Sequence, residues 1–176
     1  MALNDDKYRD LMNSVHQVNF SLFKQELAKV KTVKDYHPRH CTYLKTKDNI
    51  VHVIAQLGLV QFMNELAKVC PDFLQLENAD GKTPLHEAAQ FSQPSIVNFL
   101  LEQNVPVDPI KRGDWTPLML ACTKNGLDAL SVAESLIKHG SDVNLRNKVS
   151  VDAINVINAI HKGLLMMYRT AGHLFT

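Results

Sequence analysis

Apolar side chains recur in the middle of the chain at spacings of three and four residues, the spacing of one face of an α-helix. Thr83 precedes Pro84 where the first such face begins. A threonine hydroxyl caps a free backbone N–H, and proline at the first helical position has no N–H to lose. The pattern therefore predicts a short helix after Thr83, a tight turn, and a longer helix after Pro94. Their apolar faces are Leu85, Ala88 and Ala89, then Ile96, Val97, Leu100 and Leu101.

The same pattern returns 33 residues later, since Thr116 repeats Thr83 (116 − 83 = 33). A period of this length is typical of helix pairs that stack into a solenoid. The later copy is predicted to end its first helix at Asn125 or Gly126. About three residues, roughly one helical turn, are inserted near Leu130-Ser131-Val132. A weaker copy without Thr-Pro occupies residues 49–58 and keeps a histidine, His52.

Both ends of the chain predict further helices. Residues 5–31 are interpreted as a helix pair that forms a degenerate capping repeat, and residues 37–46 as a loop. Apolar residues recur at helical spacing between Val151 and Leu164. We expect that helix to cover the last repeat, because the end of a solenoid has an uncovered apolar face. A segment that pairs with another chain is the alternative. Polar side chains in residues 149–168 argue against a membrane span.

These patterns predict five segments. Residues 1–44 form a capping helical pair and loop, residues 45–77 a degenerate repeat, and residues 78–110 a full repeat. Residues 111–147 form a repeat with a short insertion, and residues 148–176 a helical tail that caps the stack.

Residues 81–89 read Gly-Lys-Thr-Pro-Leu-His-Glu-Ala-Ala. This stretch matches Gly-x-Thr-Pro-Leu-His-x-Ala-Ala, and through it the chain resembles the ankyrin-repeat family over about residues 44–147. The resemblance implies an all-α solenoid of helix-turn-helix repeats joined by loop fingers. It also implies that His86 ties adjacent repeats together and is not a catalytic group. Proteins of this kind bind protein partners on the concave surface made by the finger tips and first helices.

Composition narrows the function. The chain has 176 residues and a formal net charge of +1, so no overall field attracts nucleic acid or membranes. Its start is polar and acidic, unlike a signal peptide. Three scattered cysteines without a Cys-x-x-Cys pair favour reduced thiols, and hence the cytoplasm or the nucleus. We expect a monomer without membrane contact.

Motifs for catalysis are absent from the sequence. It contains no Gly-x-Ser-x-Gly, no phosphate-binding glycine-rich loop and no His-Glu-x-x-His, so the protein is predicted to be no enzyme and to use no cofactor. His37, His40 and Cys41 are zinc ligands by type, but a fourth ligand is missing. We interpret this stretch as a solvated loop and predict no metal site.

The segment between Lys24 and Lys47 is basic and leaves an alternative open. The segment contains seven cationic residues and only two acidic ones, Glu26 and Asp35. Such an excess of positive charge is typical of an RNA-associated factor that contacts phosphates. Only Tyr36 and Tyr43 could stack on bases, so direct nucleic-acid binding is not expected. The cations are Lys24, Lys29, Lys31, Lys34, Arg39, Lys45 and Lys47.

The partner-binding surface follows from aligning the repeats. Trp115 and Phe91 have no interior position to fill, so we expect them to anchor a partner, with Arg112 beside them. The alternative is that Trp115 lies flat over the neighbouring loop. Residues 84–89 and 114–119 are also similar to a group of family members associated with alanyl-tRNA synthetase, which implies that enzyme as a partner. The predicted surface comprises Lys45, Asp48, Gln56, Leu57, Asp80, Lys82, Gln90, Phe91, Arg112, Trp115, Thr123 and Lys124.

Overall fold

The computed structural model of the protein describes residues 8–29, 41–43 and 47–147. Within these ranges the chain forms eight α-helices and one 3-10 helix, and its only β-type pairings are isolated bridges. The predicted all-α class is confirmed. Predictions for the tail 148–176 and for most of the loop 37–46 concern residues outside these ranges.

The helices follow one another in pairs. The 3-10 helix Pro71–Gln75, which the apolar pattern does not predict, follows the fourth helix. The final helix has 12 residues against 9 for its counterpart in the preceding repeat, so the insertion adds about one turn. The α-helices are α1 Arg9–His16, α2 Phe20–Ala28, α3 Ile50–Leu57, α4 Val60–Val69, α5 Pro84–Gln90, α6 Pro94–Glu102, α7 Pro117–Cys122 and α8 Leu127–Lys138.

The predicted end of α7 at Asn125 or Gly126 is wrong, because the helix ends at Cys122. The Thr123 hydroxyl donates a hydrogen bond of 2.7 Å to the Leu120 carbonyl and satisfies an acceptor of the last turn. Gly126, at φ 108°, is instead the N-cap residue of α8. The connection between the two helices is therefore longer than the sequence pattern indicates.

The paired helices form two layers. Helices α1, α3, α5 and α7 pack side by side in the inner layer, and α2, α4, α6 and α8 in the outer layer. The core lies between them, where Leu85, Leu100 and Leu118 are each at most 1% exposed. Ala88 and Ala89 are fully buried on α5, and their small side chains let the neighbouring inner helices approach closely.

The loops before α3, α5 and α7, here called fingers, lie beside one another at the edge of the inner layer. The backbone N–H of Arg112 donates a hydrogen bond of 2.9 Å to the Asp80 carbonyl, and this bond joins the last two fingers. Gly81, at φ 72°, makes the left-handed turn of the middle finger. Lys47 and Asp114 adopt the same left-handed backbone at the equivalent positions, with φ of 56° and 63°. The turn is therefore kept in all three fingers, although only one has glycine there.

No helix in the described ranges is both long enough and apolar enough to cross a membrane.

Candidate protein-binding surface

Two buried histidines connect the inner helices α3 and α5 to the finger that follows each of them. The Thr83 backbone N–H donates to His86 Nδ1 at 3.1 Å, so that nitrogen is an acceptor and the ring proton is on Nε2. His86 Nε2 then donates to the Trp115 carbonyl at 3.1 Å. His52 is bonded in the same way to the start of its own helix, and its Nε2 donates to the Lys82 carbonyl at 2.9 Å. Both imidazoles hold adjacent repeats together.

The environment keeps these histidines neutral. Both rings are 0% exposed, and burial lowers the pKa of His86 to about 4. Burial also lowers the pKa of His52 below its usual value. With both ring nitrogens of each histidine hydrogen-bonded and no surface exposed, neither side chain can reach a substrate. The third repeat has Met119 at the same position.

Asp48, Lys82 and Trp115 occupy the same position in the three fingers, directly before the residue that caps the inner helix. We call the surface formed by the fingers and the inner helices the groove face, and these three residues lie on it. One aspartate, one lysine and one tryptophan at equivalent places give the face a different chemistry at each repeat. The predicted surface residues Asp48, Lys82 and Trp115 are thus aligned along one line of the stack.

The middle of the groove face contains an ion pair. The Lys82 ammonium lies 3.0 Å from Glu87 Oε1 and donates to Gln90 Oε1 at 2.7 Å. The Lys82 side chain is 18% exposed and that of Glu87 only 2%. The structure therefore brings together two residues of the predicted surface, Lys82 and Gln90, and pairs Lys82 with a buried carboxylate.

Glu87 is a site residue that the sequence prediction missed. Its Oε2 is buried and accepts no hydrogen bond from the described residues. The equivalent positions in the other repeats hold the apolar residues Val53 and Leu120, both buried. A charged residue on an otherwise apolar helical face was the available signal, because such a group is seldom buried without a partner.

The third finger has three prominent side chains. Arg112 lies 3.1 Å from Asp80 through Nη1 and donates to the Ala79 carbonyl at 3.4 Å, so its guanidinium bridges two fingers. The Lys111 ammonium lies 5.7 Å from the centre of the Trp115 ring, within cation–π range. Trp115 is half-buried. Its ring lies beside Lys111 and Gly113 of its own finger.

The other predicted positions differ in exposure. Phe91 is 48% and Leu57 45% exposed, so both present apolar surface to solvent. Thr123 is exposed, whereas Gln56 and Lys124 are half-buried. Asp48 accepts a hydrogen bond of 2.6 Å from the Asn78 side chain of the middle finger. Lys45 lies outside the described residues.

A cleft of about 480 Å³ opens between α1, the first finger and α3. It contains two predicted surface residues, Asp48 and Gln56. His16 Nε2 and the Tyr43 hydroxyl are hydrogen-bonded to each other at its wall. Burial raises the pKa of Tyr43, so the phenol stays protonated at neutral pH. The described lining residues are Met12, Asn13, His16, Tyr43, Asp48, Val53 and Gln56.

The thiols show no sign of an activated nucleophile. Cys41, Cys70 and Cys122 are buried, and no disulfide joins them. Burial raises the pKa of Cys122 to about 11, so its reactive thiolate is scarce at neutral pH. No three metal-ligating side chains in the described ranges are grouped to hold an ion. His37 and His40 lie outside those ranges.

The basic segment is only partly described. The Lys24 ammonium lies 5.8 Å from the centre of the Phe20 ring, and Lys29 pairs with Glu26 at 2.6 Å. Lys47 is exposed. The remaining cations, Lys31, Lys34, Arg39 and Lys45, lie outside the described residues.

Stacked helix pairs with fingers side by side define a helical-repeat solenoid. Charged and aromatic side chains occupy equivalent positions in its fingers. The family model described as ankyrin repeats (three copies) matches residues 20–109 and 50–147. The chain belongs to the ankyrin-repeat family. Ankyrin repeats are protein–protein interaction modules.

Several larger proteins contain similar stretches. Ankyrin repeat and SAM domain-containing protein 6 of Rattus norvegicus is 30% identical over 64% of this chain and 12% of its own length. Ankyrin repeat protein nuc-2 of Neurospora crassa is 28% identical over 53% of the chain and 8% of its own length. The intracellular phospholipase A2 of Caenorhabditis elegans is 26% identical over 66% of the chain and 10% of its length. The chain thus spans about a tenth of each of these relatives.

Proposed function

We propose that the protein is a non-enzymatic adaptor that binds a protein partner on its groove face. The observation that supports this most strongly is the composition of that face. Phe91 and Leu57 expose apolar surface at the ends of their inner helices, while Lys82, Arg112 and Asp80 supply charge at the fingers. Protein interfaces combine apolar or aromatic anchors with arginine and a polar rim.

The state of the reactive side chains supports a non-enzymatic role. His52 and His86 are fully buried and serve as ties between repeats. The thiol of Cys122 is protonated because its pKa is raised to about 11. The buried cysteines form no disulfide, which is consistent with a reducing compartment, and we place the protein in the cytoplasm or the nucleus.

The finer proposal concerns the partner. Residues 84–89, 114–119 and 121–123, together with 23–28, resemble the N-terminal part of ankyrin repeat domain-containing protein 16. That resemblance implies an adaptor or quality-control role beside alanyl-tRNA synthetase. Affinity capture of the full chain followed by mass spectrometry tests it, and recovery of alanyl-tRNA synthetase is the expected result. A salt-sensitive gel shift with RNA in the absence of any captured protein would favour the RNA-associated alternative instead.

Substitutions on the groove face are expected to weaken binding of the captured partner. Trp115→Ala and Arg112→Ala should each reduce the binding free energy by more than about 1 kcal/mol, because large aromatic and arginine side chains dominate interfaces. Arg112 and Asp80 are 76% and 52% exposed at their side chains, so breaking their ion pair should leave the fold intact. Isothermal titration calorimetry with the purified partner measures both losses.

Glu102→Ala is the matched control, since Glu102 is exposed at the end of the outer helix α6. It should change the affinity very little. A larger loss for Glu102→Ala than for Trp115→Ala would place the partner on the outer layer and contradict the proposal.

A further inference from the structure

The cations of the last two fingers are not equally paired. Arg112 lies 3.1 Å from Asp80, and Lys82 lies 3.0 Å from Glu87. Lys111 forms no ion pair with a described carboxylate. Its ammonium contacts the Trp115 ring and, at 3.5 Å, the Arg112 carbonyl. Of these three cations, Lys111 is thus the one with no described carboxylate at ion-pair distance.

The surroundings of Lys111 make an added anion favourable. The residue is half-buried, and loss of hydration lowers the pKa of its ammonium below the usual value. The nearby charges of Lys82 and Arg112 repel it, whereas Asp80 and Glu87 attract it. Both of those carboxylates already have a cation at close range. A further carboxylate would replace the hydration that the Lys111 ammonium loses on burial. It would also reduce the repulsion between the ammonium groups of Lys82 and Lys111.

Apolar side chains accompany this charge. The Lys82 ammonium donates to Gln90 Oε1 at 2.7 Å, and the next residue in the chain, Phe91, is 48% exposed. The Lys111 ammonium lies 5.7 Å from the centre of the Trp115 ring. A ligand that fits here therefore combines an acidic group with an apolar side chain.

We propose that Lys111, with Lys82 beside it, receives a carboxylate from an acidic segment of the partner protein, whose apolar side chains pack on Phe91. This rests on the proposed function, because it names the chemistry of the partner that the groove face binds. An acidic peptide fits better than RNA, because the Lys111 ammonium lies over the tryptophan face on which a base would stack, 5.7 Å from the ring centre.

The chain contains a built-in reporter for this site. Trp115 is its only tryptophan, and it touches the ammonium in question. The probe is a capped peptide of Ser-Glu-Leu-Ser repeated three times, and its control is the same peptide with Gln in place of Glu. Titration into the full chain, followed by Trp115 emission, should show saturable binding of the Glu peptide and at least about tenfold weaker binding of the Gln peptide.

The variants assign the effect to the site. Lys111→Met should lower the affinity for the Glu peptide at least about tenfold and leave the affinity for the Gln peptide unchanged. Lys111→Arg should retain binding, since a guanidinium keeps the charge and also stacks on tryptophan. Lys138→Met removes the same charge from an exposed position on α8 and should have no effect. Equal losses for Lys111→Met and Lys138→Met would reduce the effect to net charge and overturn the inference.

Other outcomes are equally decisive. No saturable change in Trp115 emission at millimolar Glu peptide overturns the inference. So does tighter, Lys111-dependent binding of a twelve-nucleotide oligouridine, which would make the ligand RNA. A captured partner that is sensitive to Trp115→Ala but insensitive to Lys111→Met refutes this inference and leaves the proposed function standing. Lys111-dependent peptide binding without any partner on the groove face refutes the proposed function alone.

Discussion

Leu100→Ala is expected to lower the free energy of unfolding by about 2–5 kcal/mol. Leu100 is 0% exposed on α6, where the inner and outer layers meet. The substitution removes buried apolar surface and leaves a cavity that the packed helices on both sides cannot fill. Urea unfolding monitored by circular dichroism measures the loss. Leu85 and Leu118 are buried to the same degree on α5 and α7, and we expect similar losses there.

The chain offers a matched control for this substitution. Leu127 lies at the start of α8 and is 72% exposed. Leu127→Ala should change the stability by no more than about 0.5 kcal/mol, because alanine is as good a helix former and little surface is uncovered. If both alanine variants unfold at the same urea concentration, the assignment of Leu100 to the core between the layers is wrong.

The second large effect concerns pH and His86. The pKa of His86 is about 4 in the folded protein, against 6.5 for an ordinary histidine. Between these values the unfolded chain binds a proton that the folded protein does not, so stability falls as the pH falls. The loss begins near pH 6.5 and is complete near pH 4. Between pH 7 and pH 5, His86 alone should lower the free energy of unfolding by about 2 kcal/mol.

His86→Met isolates this contribution, since the third repeat already accommodates Met119 at the equivalent position. The variant should be less stable at pH 7, because the Trp115 carbonyl and the Thr83 N–H lose their buried partner. Its stability should then change about 2 kcal/mol less between pH 7 and pH 5 than that of the natural chain. His139→Met, at an exposed imidazole, is the control. An unchanged pH difference in His86→Met would contradict the neutral, buried state of this histidine.

Local signals account for much of the fold. Thr83-Pro84 and Thr116-Pro117 predict the starts of α5 and α7 because capping depends on adjacent residues. The end of α7 was predicted wrongly, since it depends on how Thr123 bonds to the preceding turn and on Gly126 capping the next helix. The 3-10 helix Pro71–Gln75 has too few residues to produce a periodic apolar pattern.

The sequence predicts which finger positions are equivalent, but it does not predict the contacts of their side chains. Alignment of the repeats places Lys82 and Trp115 at equivalent points of their fingers. The ion pair of Lys82 with Glu87 and the contact of Lys111 with Trp115 depend on side-chain conformations between segments. A one-dimensional pattern contains no information on those conformations.

The buried histidines couple some repeats to the next repeat more strongly than others. His52 and His86 each join the start of one helix to the next finger, so neither helix start can open without disturbing the following repeat. Met119 has no ring nitrogen, so the same position on α7 transmits no such constraint onward. Sub-global opening should therefore need less free energy at α7 than at α5. In hydrogen exchange, the amides of α7 are therefore expected to lose protection before those of α5, so two repeats of one fold differ in local stability.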